Sequence, residues 1–367
     1  MTGGENRTAL ITGGAGFIGS NLAQRLLREP RVNVRVFDNL SRRGVLHNVD
    51  WLRSQEGARS RLEVIRGDVR DFEAVKAAAL GVSEIYHFAA QVAVTTSLDD
   101  PASDFEVNAL GTFHVLEAAR TSGRNPFLLF TSTNKVYGSL ENLPVEVHSQ
   151  QYRACDPHFK GVKEEQPLDF HSPYGCSKGA ADQYVRDYAR IYDLPSVVFR
   201  MSCIAGPRQF GNEDQGWVAH FLYSALSGEP ITIYGDGYQV RDVLHVHDLL
   251  DAMLAVRANI DRSRGEIYNM GGGMARVISV VELLRKMERR TGKMLNLEYS
   301  EVRPGDQPLY ISDTSKLQGH TGWKPRRSLD DLLDDIHAFW RENRDAIECN
   351  SKVSCSGDSE LEAQEVA

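Results

Sequence analysis

The sequence predicts an α/β fold: a doubly wound parallel sheet followed by a second, smaller mixed α/β lobe. Two observations predict the large sheet. The segment Thr8–Leu27 contains, in succession, an apolar strand, a glycine turn and a helix. Strands and helices then alternate up to residue 200, which is the pattern of a parallel sheet with helices on both faces. Beyond residue 200 the alternation becomes irregular, and this predicts the second lobe.

The glycine turn has the spacing of a dinucleotide-binding site. Gly13, Gly16 and Gly19 form the pattern G-x-x-G-x-x-G between the first strand and the first helix. Glycine is needed where the backbone turns sharply and where a phosphate approaches too closely for a Cβ atom. The free N–H groups and the positive dipole end of the helix favour a pyrophosphate at this place.

A carboxylate follows where a ribose-binding acid is expected. Asp38 ends the second apolar segment, about 20 residues after the glycines. A carboxylate at this position accepts hydrogen bonds from ribose hydroxyls and repels a 2′-phosphate. Arg42 and Arg43 are the opposing observation, because arginines beside the ribose can hold that phosphate; alternatively they are solvated loop charges. We predict NAD rather than its phosphorylated form.

Later segments supply further candidate cofactor contacts. Asp68 follows the third strand, where its carboxylate can meet the adenine amino group or cap the next helix. Ala89 and Ala90 end the fourth strand, and such small residues let a flat ligand approach the backbone. Asn108 lies in a helix predicted over Phe105–Arg120, where we expect a buried tether.

These observations divide the chain into three segments. We predict a dinucleotide-binding Rossmann domain over residues 1–200 and a substrate-binding lobe over residues 201–345. Residues 346–367 set one lysine against several acids without apolar periodicity, so we expect a disordered acidic tail. The polar segment 139–171 shows no clear period, and we interpret part of it as a flap over the site.

The composition argues against several classes of partner. The chain has 367 residues and a net charge of −8, without a long run of Lys or Arg, so neither nucleic acid nor a membrane surface is expected as a partner. The five cysteines form no C-x-x-C pair, which argues against a disulfide framework and a zinc site. We find no signal peptide and no apolar run of about 18 residues, and we expect a cytoplasmic protein.

The histidines are not expected to bind a metal. His245 and His247 are close in sequence, but we predict them in one strand with their side chains pointing in opposite directions. Ordinary polar or core positions are the preferred interpretation, and no metal site is predicted.

The residues for chemistry follow the fifth strand. Tyr174 and Lys178 are four residues apart near the start of a helix, so they share a face. Tyrosine is a poor base at its ordinary pKa of about 10. A lysine ammonium one turn away and a positive nicotinamide ring favour the phenolate, which can then take a proton from a sugar hydroxyl as hydride leaves the same carbon. Thr133, at the end of the fifth strand, can orient that hydroxyl.

Taken together, the motifs resemble a known family over about residues 7–345. The chain is similar to the extended short-chain dehydrogenase/reductase family of NAD-dependent nucleotide-sugar epimerases and dehydratases in the motifs T-G-G-A-G-F-I-G, D-N-L-S, G-D-V-R-D, H-F-A-A-Q, S-T-N-K-V-Y-G, S-P-Y-G-C-S-K and R-D-V-L-H-V-H-D. The resemblance implies a Rossmann fold, NAD as cofactor and a nucleotide-sugar substrate.

The resemblance also implies a set of residues for each part of the site. The implied catalytic residues are Thr133, Tyr174 and Lys178. The expected cofactor contacts are Gly13, Gly16, Phe17, Ile18, Gly19, Asp38, Asn39, Ser41, Arg42, Asp68, Val69, Phe88, Ala89, Ala90, Gln91, Asn108, Tyr174 and Lys178. The expected substrate contacts are Thr133, Asn134, Lys135, Arg208, Gln209, Gln215, Arg241, Arg303 and Asp306. The three arginines suit a diphosphate because a guanidinium pairs with phosphate through two hydrogen bonds, although each can instead form a surface ion pair.

Two departures from the family pattern bear on the reaction. Dehydratases of the family carry Asp-Glu after the threonine, whereas this chain has Asn134 and Lys135. An amide and an ammonium cannot replace the acid and base that β-elimination requires, so dehydration is not expected. Cys203 stands where many members have a substrate-binding asparagine, which leaves the local substrate contact open.

The expected activity is epimerisation at one carbon of a nucleotide sugar. The motifs L-D-F-H-S-P-Y-G-C-S-K-G-A-A-D-Q-Y and T-S-T-N-K-V-Y-G resemble the branch that inverts C2 of a CDP-linked sugar. The alternatives are a 4-epimerase or oxidoreductase of the same family acting on a UDP-, GDP- or dTDP-sugar and, from another class, a non-catalytic NAD-binding scaffold. Helices predicted over Phe105–Arg120 and Tyr174–Asp193 are where the family pairs, so a homodimer or higher homo-oligomer is expected.

Overall fold

A computed structural model describes residues 6–303 and 305–352 of the chain. Within these residues the strands are β1 Arg7–Thr12, β2 Val32–Asp38, β3 Leu62–Arg66, β4 Glu84–His87, β5 Phe127–Thr133, β6 Val145–His148, β7 Gln151–Ala154, β8 Ser196–Met201, β9 Cys203–Ala205, β10 Ile231–Tyr234, β11 Val240–His245, β12 Ile267–Met270, β13 Val277–Ser279, β14 Leu297–Ser300 and β15 Leu309–Tyr310.

The α-helices flank and connect these strands. They are α1 Phe17–Leu27, α2 Val45–Arg53, α3 Ala58–Arg61, α4 Phe72–Ala78, α5 Val94–Asp99, α6 Pro101–Phe105, α7 Gly111–Thr121, α8 Ser172–Ile191, α9 Trp217–Ser227, α10 Val246–Ala258, α11 Ile260–Ser263, α12 Val280–Thr291, α13 Ser315–Thr321, α14 Leu329–Glu342 and α15 Arg344–Lys352. None of the helices in the described ranges is long and apolar enough to cross a membrane.

The large sheet has seven parallel strands in the order β3-β2-β1-β4-β5-β8-β12. The strand order reverses between β1 and β4, so the chain leaves these two strands in opposite directions. In open α/β sheets, ligands bind in the crevice at such a reversal, outside the carboxyl ends of the strands. Thr12 is level with Phe37 on one side and with His87 on the other, which aligns three strand ends around this crevice. The predicted fold class is confirmed.

The second lobe is smaller and mixed, also as predicted. Strand β11 pairs antiparallel with β13 and parallel with β15 and β9, while β10 and β14 form a separate parallel pair. Its core lies among α9, α12 and α14, where Leu222, Leu283 and Leu333 are fully buried. Before α12 the chain returns to the large sheet through β12, which pairs with β8. Residues on both sides of residue 200 build the large sheet, since β8 spans Ser196–Met201 and pairs with β12. The domain boundary predicted at residue 200 stays a prediction.

Three segments differ from what the sequence predicts. The helix predicted over Phe105–Arg120 is interrupted by a π-helical turn at Glu106–Leu110 that carries Asn108. The segment 139–171 is not without regular structure, since it contains the antiparallel hairpin β6–β7. The predicted disordered tail begins at residue 346, but α15 extends to Lys352, so its first part is helical. The remainder of that tail, 353–367, lies outside the described residues.

The hairpin and its flanks pack on the second lobe. The backbone N–H of Tyr152 donates to the carbonyl oxygen of Tyr238 over 3.0 Å, and the Gln151 amide donates to Glu282 over 2.9 Å. Further along, the backbone N–H of Val162 donates to Ile311. A hydrogen-bonded attachment of this kind was not visible in the composition of the segment, because its partners lie far away in the sequence.

Candidate active site

The glycine turn forms a cradle at the end of β1. Gly13 has a φ of +66°, and a Cβ atom there would come within 2.7 Å of the backbone nitrogen of Ala89. Gly16 precedes α1 and provides no side-chain cap, and the first turn of α1 contains no acidic residue. Phe17, Ile18 and Gly19 begin this helix. Among the described residues no side chain caps the N-terminus of α1, and its unsatisfied N–H groups fit the pyrophosphate of a dinucleotide.

Asp38 organises the cradle as well as facing the ribose position. One carboxylate oxygen accepts from the backbone N–H of Ala15 over 3.0 Å, and the other accepts from Leu40 over 2.9 Å. The side chain is 8% exposed, and its burial raises the pKa of the carboxyl. The two backbone hydrogen bonds favour the charged form, so a buried acceptor stands where the sequence predicts a ribose contact.

Polar residues from two loops line the outer end of the crevice. Asn39 donates from its amide to Asp68 over 3.2 Å, and Arg70 binds the same carboxylate with two guanidinium nitrogens at 2.9 and 3.0 Å. These hydrogen bonds lower the pKa of Asp68 to about 2. Ser41 donates its hydroxyl to Asn39 over 2.8 Å. The cap of the following helix is Asp71 rather than Asp68, so the alternative role of Asp68 as a helix cap does not hold.

A buried polar chain lies under the inner end of the crevice. His87 contacts the hydroxyl of Thr12 at 2.6 Å through Nδ1 and that of Thr112 at 2.9 Å through Nε2. Thr112 in turn donates to the backbone oxygen of Asn108 over 2.6 Å. Burial lowers the pKa of His87 to about 3, with Lys178 nearby adding to the effect. The imidazole is therefore neutral and ties β1, β4 and α7 together below the half-exposed segment that contains Phe88, Ala89, Ala90 and Gln91.

Tyr174 and Lys178 project from the first turns of α8 towards the end of β5. Burial raises the pKa of Tyr174 to about 12, and the nearby hydroxyl of Thr133 and the charge of Arg42 oppose this shift. Burial likewise lowers the pKa of Lys178 to about 7, against the attraction of Asp104 and Asp182. The Lys178 ammonium lies 4.2 Å from the centre of the Phe130 ring. The structure thus brings the three predicted catalytic residues together.

One buried acid beside this group was missed by the sequence prediction. Asp104, on the short helix α6, is fully buried and accepts a hydrogen bond from Asn108 over 3.0 Å and another from the hydroxyl of Ser177. The sequence offers no signal for it, because an acid shortly after Pro101 is typical of an exposed first helical turn.

Asn134 and Lys135 are held by the second lobe. The amide of Asn134 donates to Oε1 of Gln307 over 2.8 Å, and the hydroxyl of Thr133 lies 3.4 Å from Oδ1 of Asn134. The ammonium of Lys135 donates to the backbone oxygen of Gly305 over 2.9 Å and lies 3.5 Å from Asp306. Burial lowers the pKa of Lys135 to about 8. These contacts favour a role for Lys135 in supporting the loop, and the expected substrate contact stays a prediction.

The predicted diphosphate arginines lie in different surroundings. Arg241 pairs with Asp306 at 2.5 Å and donates to the backbone oxygen of Gln307 over 2.7 Å. Arg303 lies 3.5 Å from Asp214, with its guanidinium 3.9 Å from the centre of the Tyr234 ring. Both arginines are partly exposed, so their remaining N–H groups can face a ligand.

Arg208 has a different environment from the other two arginines. Its guanidinium lies 3.9 Å from the centre of the Trp51 ring and 5.1 Å from that of Phe339. Burial lowers its pKa to about 10. Because Trp51 belongs to the first domain and Phe339 to α14, these contacts favour a role for Arg208 in joining the two lobes, and its assignment to a diphosphate stays a prediction.

The remaining predicted substrate residues lie on or near the loop before α9. Gln209 is 7% exposed, and its buried Oε1 has no hydrogen-bond partner among the described residues. The guanidinium of Arg42 binds the side chain of Gln215, which connects the first domain with this loop. Burial raises the pKa of the Cys203 thiol to about 12, so any substrate contact of this residue would be made by the uncharged thiol.

The histidine prediction was wrong in its geometry. The rings of His245 and His247 are 4.9 Å apart because His245 ends β11 and caps α10, while His247 already belongs to the helix; alternate residues of a strand would in any case share a face. Together with Asp335 they form a possible ligand cluster. However, Nδ1 of His245 accepts from the backbone N–H of His247, and Nε2 therefore carries the proton that it shares with Asp335 at 3.1 Å. A metal bound through Nε2 would have to displace this proton and its hydrogen bond to Asp335.

The chain matches the family model described as GDP-mannose 4,6 dehydratase over residues 10–336. It is 42% identical over 335 residues to CDP-paratose 2-epimerase of Salmonella typhi, covering 89% of this chain and 97% of that protein. It is 31% identical over 333 residues to UDP-glucose 4-epimerase of Mycolicibacterium smegmatis, covering 90% of this chain and 98% of that protein. The motifs' resemblance to the epimerase/dehydratase family, including the branch acting at C2, is confirmed.

A solved structure supports the same relationship. The dTDP-glucose 4,6-dehydratase of Streptomyces venezuelae, solved with NAD and DAU bound, superposes with a TM-score of 0.79 at 30% identity. The superposition covers 92% of this chain and 98% of that chain. Similarity therefore extends through both lobes and not only through the dinucleotide-binding half.

Proposed function

We propose, from the premise that this chain belongs to the GDP-mannose 4,6-dehydratase family of NAD-dependent epimerases and dehydratases, that it is a nucleotide-sugar epimerase. The chain is an enzyme, and its cofactor is NAD. The glycine cradle, the free N-terminus of α1 and the Asp38 carboxylate suit the pyrophosphate and ribose of that cofactor. The favoured reaction is inversion at C2 of a CDP-sugar.

The observation that carries epimerisation over dehydration is the pair that follows Thr133. β-Elimination needs a general acid and a general base close to the sugar. Here Asn134 provides an amide that is bonded to Gln307, and Lys135 provides an ammonium that is bonded to Gly305 and lies beside Asp306. Neither side chain is a carboxyl group, and both are occupied by the second lobe. Transient oxidation and reduction at one carbon needs only the proton-transfer residue.

In this mechanism the chain's own residues move one proton. The glycine cradle and Asp38 would hold NAD, which when bound would supply the hydride acceptor and later the hydride donor. Tyr174, as phenolate, removes the proton from the sugar hydroxyl while hydride leaves the same carbon and a ketone forms. Burial disfavours the phenolate of Tyr174, and the hydroxyl of Thr133 and the charge of Arg42 oppose this effect. The ammonium of Lys178 and the positive nicotinamide ring of a bound cofactor would favour the phenolate further by their charge, and Thr133 orients the sugar hydroxyl. After the keto-sugar has turned over in the pocket, hydride returns to its other face and Tyr174 returns the proton, so the reaction is redox-neutral.

A second function in the same family has a specific observation behind it. The relationship to the UDP-glucose 4-epimerase of Mycolicibacterium smegmatis, at 31% identity, allows inversion at C4 of a UDP-sugar. The 42% identity to CDP-paratose 2-epimerase favours C2 of a CDP-sugar. A panel of CDP-, UDP-, GDP- and dTDP-sugars followed by proton NMR in deuterated water distinguishes these two outcomes by the carbon that inverts.

The same experiment tests the mechanism. We expect one inverted carbon without solvent deuterium at that carbon, because hydride is withdrawn and returned within the site. Deuterium at the inverted carbon would indicate deprotonation instead, and loss of the C6 hydroxyl would indicate dehydration. Conversion of none of the sugars by protein that retains NAD would favour the non-catalytic scaffold.

We further propose that the enzyme is a homodimer formed through α7 and α8. These helices expose Phe113, Tyr184 and Ile191, whose side chains are 39%, 51% and 65% exposed. The rings of Phe113 and Tyr184 are 6.1 Å apart, so they form one apolar patch across both helices. Exposed apolar patches of this kind on soluble proteins mark interaction surfaces.

A further inference from the structure

Asp104 is a buried carboxylate without a cation of its own. The residue is fully buried on α6, and among the described residues no Lys, Arg or His nitrogen lies within 4.0 Å of it. Burying a charge in this way is costly unless hydrogen bonds or a more distant charge compensate. Burial accordingly raises the pKa of Asp104, and the hydrogen bonds from Ser177 and Asn108 together with the charge of Lys178 oppose this shift.

The hydrogen bonds of Asp104 attach it to the turn that carries the proton-transfer pair. One oxygen accepts from the Asn108 amide over 3.0 Å, and the other accepts from the hydroxyl of Ser177. Ser177 immediately precedes Lys178, and its hydroxyl also lies 3.2 Å from the backbone oxygen of Tyr174. The carboxylate is thus fixed beside the helical turn between Tyr174 and Lys178.

The other charged groups around the pair are balanced or distant. Asp182, the second carboxylate that acts on Lys178, is neutralised by two hydrogen bonds from Arg200 at 2.8 and 2.9 Å. His87 faces Lys178 from β4 but is neutral, and Arg42 acts on Tyr174 from the loop after β2. Asp104 is therefore the counter-charge that is left for the Lys178 ammonium.

We propose that Asp104 is a positioning residue for proton transfer, because its buried carboxylate keeps Lys178 in the ammonium form beside Tyr174. This proposal rests on the proposed function and extends it. The carboxylate acts through its field rather than by contact, since no ion pair within 4.0 Å joins it to Lys178. Its direct effect on Tyr174 has the opposite sign, because a negative charge disfavours the phenolate. The benefit comes through Lys178, whose positive charge favours the phenolate.

The consequence for titration has a definite sign. Removing the negative charge of Asp104 makes the ammonium form of Lys178 less favourable, so the pKa of Lys178 falls. An opposite charge within about 4–6 Å typically shifts a pKa by about 1–3 units, and Asp104, which forms no ion pair within 4.0 Å among the described residues, should act at the lower end of this range. In Asp104→Asn we therefore expect the titration midpoint of Lys178 to move down by about one pH unit. The amide has the shape of the carboxylate, and it can keep partners in Asn108 and Ser177.

The experiment observes Lys178 directly in the NAD-bound protein. Lysine labelled with ¹³C at Cε gives one NMR signal per residue, and the Lys178 signal is identified by its loss in Lys178→Arg. The titration is recorded for wild type, for Asp104→Asn and for Asp99→Asn, a nearby exposed carboxylate that serves as the matched control. Asp104→Ser provides a second neutral replacement with different packing, in case the amide does not fold.

The outcomes separate this proposal from the proposed function. A fall of the Lys178 midpoint in a folded neutral variant, with no change in Asp99→Asn, supports the proposal, and the alkaline limb of kcat/KM should move down by the same amount. An unchanged midpoint in a folded Asp104 variant overturns it and leaves Asp104 a purely structural residue. The NMR titration needs no nucleotide sugar, so it gives its answer even if the proposed epimerisation fails.

Discussion

The side-chain amide of Asn134 donates to Oε1 of Gln307 over 2.8 Å, and the amide of Gln307 donates in turn to the backbone oxygen of Gly138 over 2.6 Å. Gln307 is fully buried, and it belongs to the second lobe, whereas Asn134 and Gly138 flank the turn after β5. Asn134, which supports the proposal of an epimerase over a dehydratase, is therefore held in place by a contact between the two lobes.

Removing this contact should impair both stability and catalysis. In Gln307→Ala the Asn134 amide and the Gly138 carbonyl lose their partners in a buried place, and each unsatisfied group costs about 1–3 kcal/mol. We expect a lower melting temperature and, because Thr133 is adjacent, a fall in kcat of up to about 100-fold, since a misplacement of about 1 Å can cost that much. Gln166→Ala is the control, since it breaks only an exposed amide pair with Asn142. Equal effects of the two substitutions would contradict the role given to Gln307.

The second prediction concerns Tyr174 itself. Tyr174→Phe removes the phenol oxygen that takes the sugar proton and keeps the ring, so NAD binding and the fold should be retained. General acid–base groups contribute about 10²–10⁴-fold to the rate, and we expect a loss of epimerisation of at least about 100-fold by NMR. Tyr184→Phe, on the exposed side of the same helix, is the matched control. Unchanged turnover in Tyr174→Phe would remove the proposed mechanism and favour the non-catalytic scaffold.

Local patterns explain how much of this site was visible in the sequence. Gly13 and Asp38 were predictable because their roles depend on a turn and on the strand immediately next to it, and such short-range requirements leave a fixed spacing. Tyr174 and Lys178 were predictable because one helical turn fixes their separation. The parallel arrangement of the large sheet up to β8 follows from the alternation of strands and helices, whereas β12 comes from the irregular part of the chain.

Long-range contacts account for the rest. Asp104 and Gln307 were not recognisable as parts of the catalytic surroundings, because their partners are 73 residues away at Ser177 and 173 residues away at Asn134. The prediction for the histidines near residue 245 was wrong for two reasons. Residues two apart in a strand share a face, and the strand ends and the helix begins at His245. The surroundings of Arg208 were also hidden in the sequence, because its stacking partner Trp51 comes from the other domain.

The third prediction concerns the buried imidazole of His87 and acid stability. The pKa of His87 is lowered to about 3 in the folded protein, against an ordinary value of about 6.5 in the unfolded chain. Between these values the unfolded state binds a proton that the folded state does not. The stability contributed by this group is therefore complete above pH about 6.5 and is lost as the pH falls. For one such group the loss from pH 7 to pH 5 is about 2 kcal/mol.

Replacement of His87 tests this linkage. His87→Asn cannot titrate, so the difference in the free energy of unfolding between pH 7 and pH 5 should be smaller than in wild type by about 2 kcal/mol. The variant should also be less stable at pH 7, because the Thr12 and Thr112 hydroxyls lose a buried partner. Urea unfolding at both pH values measures both effects, and His148→Asn, an exposed residue of β6, is the control. An unchanged pH difference would show that His87 does not carry the acid sensitivity.

The final prediction concerns the homodimer proposed through α7 and α8. Phe113→Asp places a charge in the exposed apolar patch that Phe113 forms with Tyr184, and burying an unpaired carboxylate against a second copy is strongly unfavourable. We expect wild type to have the mass of a dimer in light scattering and the variant to have that of a monomer at the same concentration.

Met294→Asp is the control for this prediction, because it changes a side chain after α12 that is 90% exposed and should leave the dimer intact. Dimers of unchanged stability in Phe113→Asp would exclude this patch from the interface, while a monomeric wild type would refute the dimer itself. Because the active site is built within one chain, we expect the monomeric variant to retain NAD. Loss of NAD in that variant alone would indicate that dimerisation stabilises α8, the helix that carries Tyr174.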